Sequence, residues 1–314
     1  MSIDLLSAKI DCTMSSQPQV CVIIPHYQQA DSLLLCLESL EAQALCRTQF
    51  EIVVVDNNSS CDLSSLRSRF PKVKFLHEAK KGAAHARNRG LEVTHAELIA
   101  FTDADCVADR EWLAAGIAAL ENADLIGGAV HVSVGDKEAP TPVEAFEQVF
   151  AFHQQRYIER KHFAVTANLF VSRKVANAIG PFQNGLAEDA DWCWRARTLG
   201  FRLAFNDTSI ISHPARASWG DLTNKWDRLV RERWCGFGGQ RLIRRALWIA
   251  LACATALSWV PHLGPVAFSR RLSGSRARVS AAGVLVRIRF WRARRMLTVM
   301  RTQKNLPVQE YVEA

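Results

Sequence analysis

Asp103-Ala104-Asp105 sets two carboxylates one residue apart, directly after the apolar run Leu98-Ile99-Ala100-Phe101-Thr102. Two acids at the tip of a strand can hold a hard divalent cation, and such a cation clamps and neutralises a diphosphate leaving group. A D-x-D triplet by itself is more simply a solvated turn, and it is the place after an apolar strand that favours the metal. Three other apolar runs end in similar fashion. Residues 20–24 lead into Pro25-His26-Tyr27, residues 51–55 into Asp56-Asn57-Asn58, and residues 73–77 close on His77-Glu78.

These ends need a scaffold that gathers them. Between the apolar runs lie segments with helical spacing at residues 33–42, 63–70, 83–93 and 112–120. Short buried strands alternating with helices predict an α/β fold, a mainly parallel sheet in three layers with right-handed crossovers. Ligands of such sheets collect at the strands' carboxyl ends, where the acids and amides stand. Downstream, a long helix is expected over 142–160, a strand over 166–171, helices over 174–179 and 187–199, and a strand over 202–205. That second half continues the same domain.

The chain of 314 residues is 49% hydrophobic and carries a formal net charge of +8, so it can bury a large core. The charge is uneven. From Arg241 onward Arg and Lys are frequent and the acids are Glu310 and Glu313, while the preceding part is mildly acidic. A basic tail suits an anionic surface such as phospholipid headgroups better than a duplex-reading body, so no nucleic-acid partner is expected. Residues 246–269 carry no Lys, Arg, Asp or Glu but are interrupted by Pro261, His262, Gly264 and Pro265. Either a membrane-embedded or interfacial hairpin or a buried helical pair satisfies that pattern. Residues 284–300 mix Arg with Leu, Val, Ile, Phe and Trp, as a basic amphipathic helix on a bilayer would. The nine cysteines are scattered, without C-x-x-C pairs, which fits a reducing cytosol. The first twenty residues lack a basic flank followed by an apolar run, so no secretory signal is expected and the chain is placed in the cytoplasm, with association to the cytoplasmic face of the inner membrane through the C-terminal segment as the membrane alternative.

Five stretches in order, VIIPHYQQADSLLLCLESL, VVVDNNSS, KGAAHARNRG, FTDADCVADREWL and GLAEDADWCWRARTLGFRL, resemble a family 2 glycosyltransferase from about Val20 to Trp234. The resemblance implies a GT-A fold, an inverting single displacement, and a Mn²⁺ or Mg²⁺ ion held with a nucleoside diphosphate sugar, expected to be a UDP-sugar. It divides the chain into an extension over 1–19, a catalytic domain over 20–240 and a basic helical segment over 241–314.

The resemblance also implies roles. Pro25 and Tyr27 line the nucleoside pocket, and Asp56 accepts a hydrogen bond from the base, though Asp-Asn-Asn-Ser also suits a plain turn. Arg87 matches a donor-site arginine, in keeping with a diphosphate's need for cationic donors. Asp103 meets the ribose or the metal, Asp105 ligates the metal, and His213 stands where some relatives supply a third ligand. Asn168 resembles a position near the donor sugar, with a buried strand-end amide as the alternative. The acceptor hydroxyl must lose its proton as it attacks, and a carboxylate in a dry cleft is a suitable base; the resemblance gives that role to Asp189, with Glu188 shaping the acceptor site. On the same helix Asp189, Trp192 and Arg195 fall close to one face, so Trp192 either offers a sugar-stacking plane or is plain core, and Arg195 is a partner for a carboxylate. Arg231-Glu232-Arg233-Trp234 is similar to the Q-x-x-R-W element of processive synthases, with Val230 in the glutamine's place. One sugar per acceptor is therefore expected, with Trp234 flooring the acceptor site. The expected acceptor is a lipid-linked or cell-envelope glycan precursor.

Two other enzyme classes fit less well. A sugar-phosphate nucleotidyltransferase or a nicotinamide-dependent dehydrogenase needs a glycine-rich loop after the first strand, where this chain has Pro25-His26-Tyr27-Gln28-Gln29. A membrane-attached scaffold of the same fold without turnover is the non-enzymatic alternative, disfavoured by the presence of Asp103, Asp105 and Asp189.

Overall fold

A computed structural model describes residues 18–302 apart from Leu186 and Gly239. Along this span the elements run β1 (Val20–His26), α1 (Ala30–Glu41), β2 (Phe50–Asp56), α2 (Ser64–Arg69), β3 (Val73–His77), α3 (Ala83–Val93), β4 (Leu98–Phe101), β5 (Val107–Ala108), α4 (Trp112–Ala119) and β6 (Leu125–Ser133). They continue through α5 (Pro142–Phe150), α6 (Gln154–Lys161), a 3-10 turn over Thr166–Asn168, β7 (Leu169–Ser172), α7 (Arg173–Ile179), α8 (Glu188–Thr198) and β8 (Leu203–Pro214). Four helices close the span: α9 (Trp219–Cys235), α10 (Arg241–Leu257), α11 (Trp259–Ala267) and α12 (Gly274–Thr302).

The strands form a single mixed sheet in the order β3-β2-β1-β4-β7-β6-β8-β5. The first four pair in parallel, β7 runs antiparallel to β4 and β6, and β6 pairs in parallel with β8. The parallel strands are continuously apolar because helices cover both faces: Val22, Ile24, Leu33 and Leu37 pack on one side, Ile23, Val53, Ile99 and Ala86 on the other. Gly90 lets α3 lie close on β1, since a Cβ there would come within 2.5 Å of Ile23. That contact fixes where Arg87, one turn earlier, meets the sheet's carboxyl edge.

Several expectations need correction. The helix over 142–160 is two: Ala151 ends α5 in an extended conformation and Phe152 takes a left-handed one, with φ of 49°. The strand expected from residue 166 begins at Leu169, because Thr166–Asn168 form a 3-10 turn. A strand that hydropathy did not single out, β6, bridges the two halves of the sheet.

Beyond α9, α10 docks through Trp248, Ala252 and Thr255 while Leu242, Leu247 and Leu257 stay exposed. Residues 241–267 are long and apolar enough to cross a membrane, and only 17% of their most apolar stretch is buried. The long α12 packs its Ala281, Leu285 and Ile288 against Val143 and Phe146 of α5 and Leu222 of α9. The last helix is therefore part of the body's core packing.

Candidate active site

A cleft of about 340 Å³ opens at the carboxyl edge of the sheet, lined by Pro25 and His26 at the end of β1, Tyr27 just after it, Arg87 of α3, Asp103–Asp105 after β4, Glu188 and Asp189 of α8, and His213, Arg216 and Arg228. At its centre Arg87 is almost completely buried and gathers three carboxylates. Its Nη2 donates to Asp103 at 3.1 Å, its Nη1 donates to Glu188 at 2.9 Å, and the same Nη1 stands 3.8 Å from Asp189. Residues separated by up to 102 positions in the chain thus meet around one guanidinium. Burial opposes the arginine's charge, but Asp189, Asp103 and Glu188 together outweigh it and hold the group firmly protonated.

Asp189 is held from its other side by Thr166, whose hydroxyl donates at 2.9 Å and whose amide donates at 3.3 Å. Burial pushes the Asp189 carboxyl above the usual range, with Asp103 adding to the shift and Arg87 and Thr166 working against it. Burial likewise raises Glu188, against the opposing pull of Arg87. A carboxylate fixed in place with a raised proton affinity is a stronger base than one in water. The two acids also favour the positive end of α8, whose first turn they occupy.

Asp105 lies across the cleft beside His213. The β5–β8 pairing sets Val107 opposite Ser212, and this register carries His213 Nε2 to 3.4 Å from the Asp105 carboxylate. His213 Nδ1 lies 2.8 Å from the Pro214 carbonyl, which can only accept, so Nδ1 carries a proton and Nε2 is the nitrogen turned toward Asp105. A metal-binding histidine is commonly oriented in this way, with one ring nitrogen anchored on a carbonyl and the other free to face the ion. Among the described residues no three His, Cys, Asp or Glu side chains form a self-sufficient metal cage. The donor set instead fits an ion held by one or two carboxylates plus the phosphates of a bound nucleotide, as Mg²⁺ prefers.

At the end of the cleft next to β1, Pro25 and the half-exposed Tyr27 line the wall. Asp56 lies behind them: it accepts from His26 Nδ1 at 2.9 Å and from the Ser59 amide at 3.3 Å. Burial raises its carboxyl, but these hydrogen bonds prevail and hold it below the ordinary value. His26 Nε2 in turn accepts from the Gln29 amide at 3.2 Å, so this ring braces the loop after β1.

Three expected site residues stand elsewhere. Trp192 is fully buried, stacked on Phe182 at 4.7 Å with its indole N–H donated to the Gly180 carbonyl, so no sugar reaches its face. Trp234 packs edge-on against Trp248 under Arg244, away from the cleft. Asn168 has no exposed surface: it accepts from Trp112 and donates to the carbonyls of Ala129 and Ser209, tying β6 and β8 together. Arg195 does pair with a carboxylate, Asp191, at 2.9 Å. Thr166, Arg216 and Arg228 belong to the site although nothing in their local pattern singled them out. Only the fold brings β8, α9 and the 3-10 turn to the edge where the acids stand.

The model of glycosyl transferase family 2 matches residues 21–180, slightly more than half of the chain. The chain belongs to that family. Its relatives include the glycosyltransferase AglE of Haloferax volcanii, 30% identical over 249 residues that make up 75% of this chain and 81% of that protein. The pre-mycofactocin glycosyltransferase of Mycobacterium tuberculosis is 27% identical over 66% of this chain and 45% of its own length. Among solved structures, the mannosyltransferase PcManGT of Pyrobaculum calidifontis, in complex with GDP-Man and Mn²⁺, superposes with a TM-score of 0.56 at 19% identity, covering 90% of this chain and 86% of the other. TarS 1–349 of S. aureus, in complex with UDP-GlcNAc, gives 0.51 at 17% identity over 90% and 91%. These likenesses establish the GT-A fold. As a family 2 glycosyltransferase, the protein transfers a sugar from a nucleotide sugar.

Proposed function

We propose that this glycosyltransferase inverts the anomeric centre in a single displacement, with Asp189 as the base that takes the acceptor hydroxyl's proton. The meeting of Asp103, Glu188 and Asp189 on Arg87, within one cleft that also holds Asp105, carries this reading. A divalent cation, Mn²⁺ or Mg²⁺, held by Asp105 with Asp103 and His213 beside it would neutralise the charge that develops on the departing diphosphate. Arg87 holds Asp103 and Asp189 in register, and Thr166 keeps the Asp189 carboxylate from turning away. Arg228, loosely paired with Glu232 at 3.6 Å and largely exposed, is the cation on the cleft wall best able to turn toward a diphosphate. Pro25 and Tyr27 flank the nucleoside. The donor is a UDP-sugar and the acceptor a single hydroxyl on a lipid-linked or cell-envelope glycan precursor.

The exposed apolar face of α10 and α11 supports attachment to the cytoplasmic face of a membrane. Because α12 completes the core beneath α5 and α9, the clean test of attachment is Leu242→Asp with Phe268→Asp. That pair moves the protein from the membrane to the soluble fraction, and unchanged partitioning refutes attachment. For the reaction itself, nucleotide release is measured with UDP- and GDP-sugars, with and without EDTA. EDTA-sensitive release from a UDP-sugar is the expected result. Undiminished release in EDTA eliminates the cation, and preference for GDP-sugars eliminates the uridine donor.

A further inference from the structure

Helix α9 presents two faces to two cavities. Arg228 looks on the cleft just described, whereas Trp226, Leu229, Val230 and Arg233 recur at the spacing of a single helix face and line a second cavity of about 620 Å³. Helices α5, α6, α10, α11 and α12 supply the rest of its wall. Two chemistries meet there. Phe146, Phe150, Leu229, Ile288 and Met296 make an apolar lining, while Arg233, Arg289 and Arg292 bring three positive charges, with Arg156 and Lys161 alongside.

Among the described residues no Asp or Glu lines this cavity. The Nε atoms of Arg289 and Arg292, and Nε1 of Trp226, are shielded from solvent without a hydrogen-bond partner. Arg292 stacks on Trp226 at 3.6 Å from the ring centre, which engages the flat face of its guanidinium but not the N–H edge. Burial first, then the charges of Arg289 and Arg233, pushes Arg292 below the usual guanidinium range. Arg289 and Arg292 also stand three residues apart on α12, where like charges repel. Desolvated cations without a counter-charge are unfavourable until an anion arrives, and forked guanidiniums match phosphate oxygens.

We propose that this cavity binds a lipid phosphate, the anionic head against Arg233, Arg289 and Arg292 and the hydrocarbon against Phe146, Phe150 and Ile288. An apolar lining calls for a chain as well as a charge, and the open apolar face of α10 and α11 beside it offers the route by which a membrane lipid would enter. The inference deepens the lipid-borne acceptor proposed above and rests on that reading for the ligand's role alone. Its test measures binding without any donor, so failure of transfer and failure of this site are separable.

The full chain is titrated calorimetrically with dodecyl phosphate below its micelle concentration, with dodecanol and with inorganic phosphate. Dodecyl phosphate is expected to bind at least about tenfold tighter than either half-ligand, since charge-assisted hydrogen bonds and chain burial act together. Arg289→Gln with Arg292→Gln should lose about tenfold in that affinity at an unchanged unfolding midpoint. Leu229→Trp, which fills the cavity and leaves the arginines, should weaken dodecyl phosphate and spare inorganic phosphate. Phosphatidylcholine vesicles with and without phosphatidylglycerol separate the sources. Retention on phosphatidylglycerol that the double variant loses assigns an ordinary phospholipid headgroup, and dodecyl phosphate binding without such retention assigns a phosphate monoester. Equal affinity for dodecanol and dodecyl phosphate overturns the proposal, as does undiminished dodecyl phosphate binding in both variants.

Discussion

Arg87 and Arg292 are the same residue type in opposite surroundings. Arg87 is enclosed by Asp103, Glu188 and Asp189, whereas Arg292 has an aromatic face, two neighbouring arginines and no acid lining its cavity among the described residues. A cation whose counter-charge comes from the protein's own carboxylates is a positioning group, holding together acids that would otherwise repel. A cation left without one keeps its capacity for a ligand from outside. The cleft is thus organised from within, and the helical cavity is completed from without.

The sharpest way to break this contrast is to neutralise Asp189, the carboxylate beside Arg87 that we propose as the base. Asp189→Asn should lower transfer by about three orders of magnitude, the range for loss of a general base, while nucleotide affinity stays within about twofold because the substitution is isosteric. Equal turnover would falsify the assignment. The stability consequence has a definite sign. A carboxyl whose folded proton affinity is raised favours the folded state while protonated and loses that contribution as pH rises through its folded pKa, so at neutral pH its charge disfavours the fold. Asp189→Asn should therefore unfold no more readily than the parent at pH 7, and a lower unfolding midpoint would show that the carboxylate is a structural anchor instead.

Arg87→Leu probes the same unit from its other member. Three carboxylates would be left facing one another without the buried cation, and stability should fall by about 3 kcal/mol, the scale for breaking a buried ion pair. Urea unfolding reads this directly. A loss no larger than that of a surface pair would mean that the carboxylates are solvated well enough to do without it.

The sheet and its edge were legible in the sequence, and the helical cavity was not, for one physical reason. Buried parallel strands are apolar on both faces and end in polar residues, so β1 to β4 and the acids after them announce themselves locally. In β6 the pair Gly127-Gly128 interrupts the apolar pattern, yet a Cβ at Gly128 would lie 2.4 Å from both Asn168 and the Ser209 carbonyl, so close packing requires what propensity disfavours. Trp192 and Asn168 show the converse. Their types and spacing suit sugar recognition, but which side of α8 and of the 3-10 turn meets the core depends on Phe101, Phe182 and Trp112, partners distant in sequence. The second cavity needs six helices spread from α5 to α12, and no local pattern describes it.

A smaller effect sharpens the account of the base. Since burial raises the Asp189 carboxyl and Arg87 opposes that shift, the acid limb of the kcat profile should fall at a pH above the ordinary carboxylate value of about 4. In any Arg87→Leu protein that still folds, the limb should move higher, because the opposing charge is gone. A limb that moves down, or stays where it is, separates the titrating base from Asp189.

The smallest effect expected lies on the other side of the comparison. Arg292→Gln removes a guanidinium from the cavity wall, yet leaves no carboxylate unpaired. What is lost is the stacking on Trp226; what is relieved is desolvation and repulsion from Arg289 and Arg233. These oppose each other at similar size, so the change in unfolding free energy should lie within about 0.5 kcal/mol of zero. Added phosphate-bearing amphiphile should stabilise the parent and not the variant, because a ligand raises the stability only of the state that binds it. A fall of several kcal/mol without ligand would mean that Arg292 already has its counter-charge within the protein, and the difference between the two arginines would disappear.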